Sequence, residues 1–101
     1  MTLAYLEAKK QQIFSNPNIS FSHKVSAWCC FLEPIADEAE AMGISAKCYR
    51  QLNFWEDGTN KTHEWVSNYF TYILPDGTES TEVWGNPNEA LAHGLCALLN
   101  K

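Results

Sequence analysis

Between Lys47 and Gly85 the apolar residues fall into three runs separated by two polar turns, and outside that stretch they recur at helical spacing. Over Lys47 to Trp55, Cys48, Leu52 and Phe54 take even positions while Tyr49, Gln51, Asn53 and Trp55 take odd ones. This period of two is that of a pleated strand. The polar run Glu56 to Thr62 contains Asp57-Gly58, a reversing signal. From His63 to Leu74 the chain is dense in β-branched and aromatic residues, with Val66, Phe70, Tyr72 and Leu74 on the even face. Pro75-Asp76-Gly77-Thr78 marks a second turn, and a third strand is expected from Glu79 to Trp84. Short connections make consecutive strands antiparallel, so the pattern predicts a three-stranded meander.

The flanking segments read as helices. Thr2 can cap a first helix that runs to about Phe14, with Leu3, Leu6, Ile13 and Phe14 on one face and Lys9, Lys10, Gln11 and Gln12 solvated. Ile19 to Gly43 carries two patterns. Ile19, Phe21, Val25, Ala27, Cys29 and Phe31 alternate as in a strand, whereas Phe21, Val25, Trp28, Leu32, Ile35, Ala39 and Met42 repeat every three or four residues. The second pattern keeps its phase across Pro34, which favours a helix, either kinked near Cys30–Pro34 or divided there into two abutting helices, and stopped by Gly43. The last helix begins at Asn86-Pro87-Asn88-Glu89, which offers an N-cap, a proline at the first helical position and a glutamate for a capping box. Its stripe is Leu91, Leu95 and Leu98, with Gly94 on the same face for close helix–sheet packing. The expected fold is therefore α+β in the order α-α-β-β-β-α, one compact domain over residues 1–101.

Composition places this chain among globular proteins. It has 101 residues, 46% of them hydrophobic and 13% aromatic, enough apolar surface to offset the entropy of folding without a metal or disulfide staple. Its start shows no basic segment leading into an apolar core, and no apolar run nears the roughly 18 residues of a membrane span, so the cytoplasm is the expected compartment. Cys29, Cys30, Cys48 and Cys96 show no C-x-x-C spacing and are expected as free thiols, mostly buried.

Chemistry is sparse. His23, His63 and His93 have no second ligand at metal-binding spacing, and no nucleophile-elbow, phosphate-loop or dinucleotide pattern occurs, so no cofactor or metal is expected. Asp57, His63 and Glu64 near the first turn are the best acid–base candidates, and with the cysteines they define a small enzyme or metal protein as one alternative reading.

Two features point instead to protein binding. If the even face packs beneath the helices, Tyr49, Trp55, Trp65 and Tyr69 face the other way, with Trp84 a candidate to join them, and Tyr and Trp are frequent anchors of protein contacts. The net charge is −5, and between Lys61 and Lys101 there is no Lys or Arg while Glu64, Asp76, Glu79, Glu82 and Glu89 all occur. Glu33, Asp37, Glu38 and Glu40 form a second acidic cluster. One Arg and six Lys argue against direct nucleic-acid binding, since stacking platforms depend on a positive groove. The leading expectation is a non-enzymatic binding module for a partner with a basic surface, with Trp55, Trp65 and Trp84 as anchors and Glu64, Glu79 and Glu82 as a charged rim. In size and charge, though in no specific residues, the chain resembles inhibitors encoded by phages and other mobile elements, such as anti-CRISPR and toxin-immunity proteins. That resemblance implies occlusion of a nucleic-acid-binding surface. The other alternative is a homodimer that buries the aromatic face against itself.

Overall fold

A computed structural model describes residues 2–59 and 61–100. Among these the order is α1 (Leu3–Phe14), α2 (Phe21–Ala41), β1 (Ser45–Glu56), β2 (Thr62–Ile73) and α3 (Pro87–Leu99). The α+β class is as expected, but the sheet has two antiparallel strands in place of three. Asn60, in the expected loop between β1 and β2, lies outside the described residues.

The third strand fails for a reason visible in its register. Residues 79–84 meet β2 only at two isolated bridges, Ile73 with Glu79 and Phe70 with Trp84. Between those bridges two residues of β2 face four of the returning chain, so a continuous ladder cannot form. Ser80 fills the gap: its backbone N–H donates to the Tyr72 carbonyl at 3.0 Å, while its hydroxyl accepts from the Tyr72 N–H at 3.2 Å and donates to the Glu82 carbonyl at 2.9 Å. The preceding turn is as the sequence predicts, with Gly77 at φ 90° and Leu74 N–H donating to the Thr78 carbonyl at 2.8 Å. A left-handed φ there suits glycine, which has no Cβ to clash.

Local chemistry sets the helix ends. The side chain of Thr2 caps α1 through the Tyr5 N–H, Ser20 caps α2 through the His23 N–H, and Asn86 caps α3 through the Asn88 N–H. Helix α2 passes through Pro34 as one element to Ala41, and Gly43, just past its C-cap Met42, takes φ 89°. Proline leaves the Cys30 carbonyl without its usual donor, and both residues are exposed, so water can satisfy it. The apolar repeat of α2 is only partly used. Trp28, Leu32, Ile35 and Ala39 are buried, whereas Phe21 is 73% exposed and Val25 also faces solvent, because the N-terminal turns of α2 extend past the core; Met42, at the other end, is exposed as the C-cap.

Helix α3 joins the two halves of the molecule. It packs on α2 and on both strands, and Ala90, Leu91, Ala92, Gly94, Leu95 and Cys96 are buried. The core comprises these with Leu6, Trp28, Leu32, Ile35, Ala36, Ala39, Ile44 and Leu74, and Ala46 and Tyr72 pack against it from the even face of the hairpin. A Cβ on Gly94 would sit 2.9 Å from Ile44 Cγ2 and 3.0 Å from Tyr72 Cβ and Cγ. These atoms lie near the main chain and cannot swing aside. Replacing Gly94 with Ala should therefore destabilise the fold by about 1–3 kcal/mol, despite the better helix propensity of alanine. Urea denaturation of the two proteins checks this, and an unchanged midpoint would show that the α3–hairpin contact can relax.

Candidate interaction surface

The register pairs residues whose numbers add to the same total along the hairpin, from Ser45 with Ile73 to Glu56 with Thr62. Residues of equal parity therefore share a face. The odd face carries Tyr49 opposite Tyr69, Asn53 opposite Trp65 and Trp55 opposite His63. Tyr49, Trp55 and Trp65 are 40%, 57% and 50% exposed, and Tyr69 is half-buried. Helices cover the opposite face at its base, so the sequence assigned the two faces correctly there.

Polar contacts hold this surface in shape. Asn53 Nδ2 donates to Ser67 Oγ at 2.9 Å across the strands. At the base, Glu79 Oε1 accepts from Tyr49 Oη at 2.8 Å and from Thr71 Oγ1 at 3.1 Å, and Lys47 Nζ lies 5.0 Å from the Tyr49 ring centroid. At the tip, Asp57 accepts from the Thr59 N–H and hydroxyl, and its other oxygen lies 3.2 Å from His63 Nε2. The Thr59 hydroxyl, then its N–H, then His63 hold the Asp57 carboxyl below its ordinary range. The Trp55 and His63 rings are 5.1 Å apart. Asp57 and His63 thus close a turn and brace an indole, while Glu64 points to the even face opposite Phe54. The three acid–base candidates do not converge on a cleft.

Other expected residues are also dispersed. Trp84 does not join the odd-face aromatics. It stacks on Tyr72 at 5.8 Å and on His93 at 4.5 Å, on the helix side of the hairpin. Glu79 is tied to Tyr49 and Thr71, Glu82 stands beside Trp84, and Glu64 is far out along the arm, so they form no single rim. The even face corrects a further expectation. Beyond Ala46, Phe70 and Tyr72 it is bare, with Leu52, Phe54 and Val66 at 53%, 63% and 55% exposed, because twelve-residue strands outrun the helices that cover their base.

The thiols and the last helix differ from expectation too. Cys96 is buried, Cys29 is half-buried, and Cys30 and Cys48 are exposed. All four are free. Burial pushes the Cys96 thiol up, and Cys29 Sγ accepts from Asn86 Nδ2 at 3.0 Å. Glu89 leaves the expected capping box for a long-range role: Oε1 pairs with Lys10 Nζ at 2.8 Å, and Oε2 accepts from Trp28 Nε1 at 3.4 Å. Lys10 is thus a tether between α1 and α3 as well as a solvated residue. Glu89 at the third helical position looks like a cap in the sequence, and only the position of Trp28 reveals its buried use.

His93 and Trp84 border two clefts. One, of about 510 Å³, is also lined by Tyr72, Glu82 and Cys96, and the other, of about 340 Å³, by Glu7, Lys10 and Trp28. Among the described residues no cluster of three or more His, Cys, Asp or Glu is placed to hold a metal ion, and no helix is long and apolar enough to cross a membrane. No family model, curated protein or solved structure matches this chain.

Burial holds the His93 imidazole below its ordinary pKa of 6.5, against the opposing pull of Glu89 and Glu82. Its folded value is lower than its unfolded one, so the unfolded chain binds the extra proton and stability drops as pH falls below about 6.5. In His93→Phe, which keeps an aromatic ring against Trp84, that decline should be missing between about pH 7.5 and 5.5. Thermal melts of both proteins across the window check the difference.

Proposed function

We propose that the protein is a non-enzymatic protein-binding module that acts by covering a basic surface of another macromolecule. One observation carries this reading: Tyr49, Trp55 and Trp65 stand exposed on one face of a two-stranded arm, with no described part of the chain covering them. Exposed aromatic clusters of this kind are uncommon on surfaces that meet only water, and Trp and Tyr supply large contact area at little entropic cost.

The charge supports a basic partner. Glu33, Asp37, Glu38 and Glu40 are exposed, make no ion pair among the described residues and include the last turn of α2, where no basic residue offsets the helix dipole. Together with the net charge of −5, this field would draw a cationic surface toward the protein. A surface used to hold nucleic acid has that character, and its occlusion would make the protein an inhibitor.

The test is affinity capture from a lysate of the native host, at low and moderate salt, with wild type and a Trp55→Ala/Trp65→Ala variant. A stoichiometric basic protein should bind wild type, weaken as salt rises and be reduced by at least about tenfold on the variant, since anchor residues commonly contribute about 2 kcal/mol or more. Capture that ignores the two tryptophans would overturn the assignment of the surface. For the captured partner, Glu64→Lys/Glu82→Lys should slow association at low salt and flatten its salt dependence, because charges outside the buried contact act mainly on the on-rate. Glu79 is left intact in that variant because of its bonds to Tyr49 and Thr71.

A further inference from the structure

Among the described residues the outer edge of β1 meets no other strand, and its residue pattern is complementary to itself. Asp57 N–H bonds the Lys61 carbonyl within the hairpin, whereas Phe70 N–H, directly opposite Cys48 in the register, turns away to the Trp84 carbonyl. In an antiparallel pair the hydrogen-bonded positions alternate. Odd-numbered residues of β1 therefore bond to β2, and Ala46, Cys48, Arg50, Leu52, Phe54 and Glu56 aim their N–H and C=O groups outward, where no described strand meets them. Two-stranded hairpins are marginal by themselves in water, and a long open edge is a template for another strand.

We infer that this edge pairs with the same edge of a second copy of the chain, forming a four-stranded antiparallel sheet with a two-fold axis at Asn53. A two-fold axis normal to the sheet keeps the faces in common, so residues of like parity must oppose one another. Centring the pairing on Gln51 sets Arg50 against Leu52, centring on Leu52 sets it against Phe54, and centring on Phe54 sets Leu52 against Glu56. Centring on Asn53 sets Arg50 against the partner's Glu56 and Leu52 against the partner's Phe54, twice by symmetry. Among these four registers it alone matches charge with opposite charge and apolar with apolar. The outward backbone groups of Arg50, Leu52, Phe54 and Glu56 then all find partners.

This contact differs from self-association through the aromatic face, because it leaves Tyr49, Trp55 and Trp65 of both copies uncovered on one side. Two aromatic surfaces become one continuous platform. The pairing stands on the edge of β1 and fails or holds separately from the reading of a basic partner.

The experiment combines sedimentation equilibrium with amide hydrogen exchange followed by NMR. A dimer should form in the micromolar range, with the amides of Arg50, Leu52, Phe54 and Glu56 slowed in the dimer and fast on dilution. Arg50→Glu and Glu56→Arg should each weaken the dimer about tenfold by opposing like charges, and the double variant Arg50→Glu/Glu56→Arg should recover wild-type affinity to within about threefold. Both sites are exposed in the single chain, so the hairpin itself should remain folded in every variant, as far-ultraviolet circular dichroism can verify. A monomer at several hundred micromolar would overturn the proposal. So would a dimer in which those four amides stay fast, or single charge reversals without effect.

Discussion

The close approach of α3 to the base of the hairpin is the constraint on which the molecule depends. At Gly94 the helix backbone comes within van der Waals distance of Ile44 and Tyr72, and from there Leu91 and Leu95 reach the buried side of α2. Helix α3 is thus both the floor of the hairpin and the inner wall of the helical layer. If a side chain separated α3 from Tyr72, the ring stack of Tyr72, Trp84 and His93 would lose its support together with the bridge that ties residues 79–84 to β2.

The hairpin has a different balance of forces at each end. Its base is held by burial, while the tip is held by turn chemistry at Asp57 and by cross-strand pairs such as Trp55 with His63. Between them lies a segment whose two faces are both apolar and both wet. An antiparallel sheet with one solvated face normally alternates apolar and polar residues. Here Leu52, Phe54 and Val66 occupy one face and Trp55 and Trp65 the other. The solitary chain gains little from that composition, whereas a chain in contact with another macromolecule gains a great deal.

Electrostatics divides the molecule in a similar way. Among the described residues the one well-buried carboxylate, Glu89, is matched by Lys10 and by the Trp28 indole, consistent with the cost of burying an unpaired charge. The exposed carboxylates on α2 have no such partners, and their cost is small because water screens them. Acidic residues are therefore structural where they are covered and available for long-range attraction where they are not.

Short-range chemistry was legible from the chain. Thr2 and Asn86 as caps, Gly43 as a stop, the Pro75–Thr78 turn and the phase of the hairpin all follow from spacings of a few residues, where side chain and backbone meet regardless of what lies beyond. Periodicity, in contrast, marks which residues share a face but not whether anything covers it. Phe21 and Val25 on α2 and Leu52 and Phe54 on β1 satisfy their patterns yet stay exposed, because the helical layer is shorter than the elements it packs against. The same limit separated Trp84 from the other aromatics and turned Glu89 from a cap into an anchor for Lys10 and Trp28. It also reduced the third strand to two bridges, since the two extra residues between Glu79 and Trp84 break a register that depends on the spacing to β2. Local pattern determined the elements, and the relative lengths and placement of packed layers decided which of their faces meet protein and which remain open.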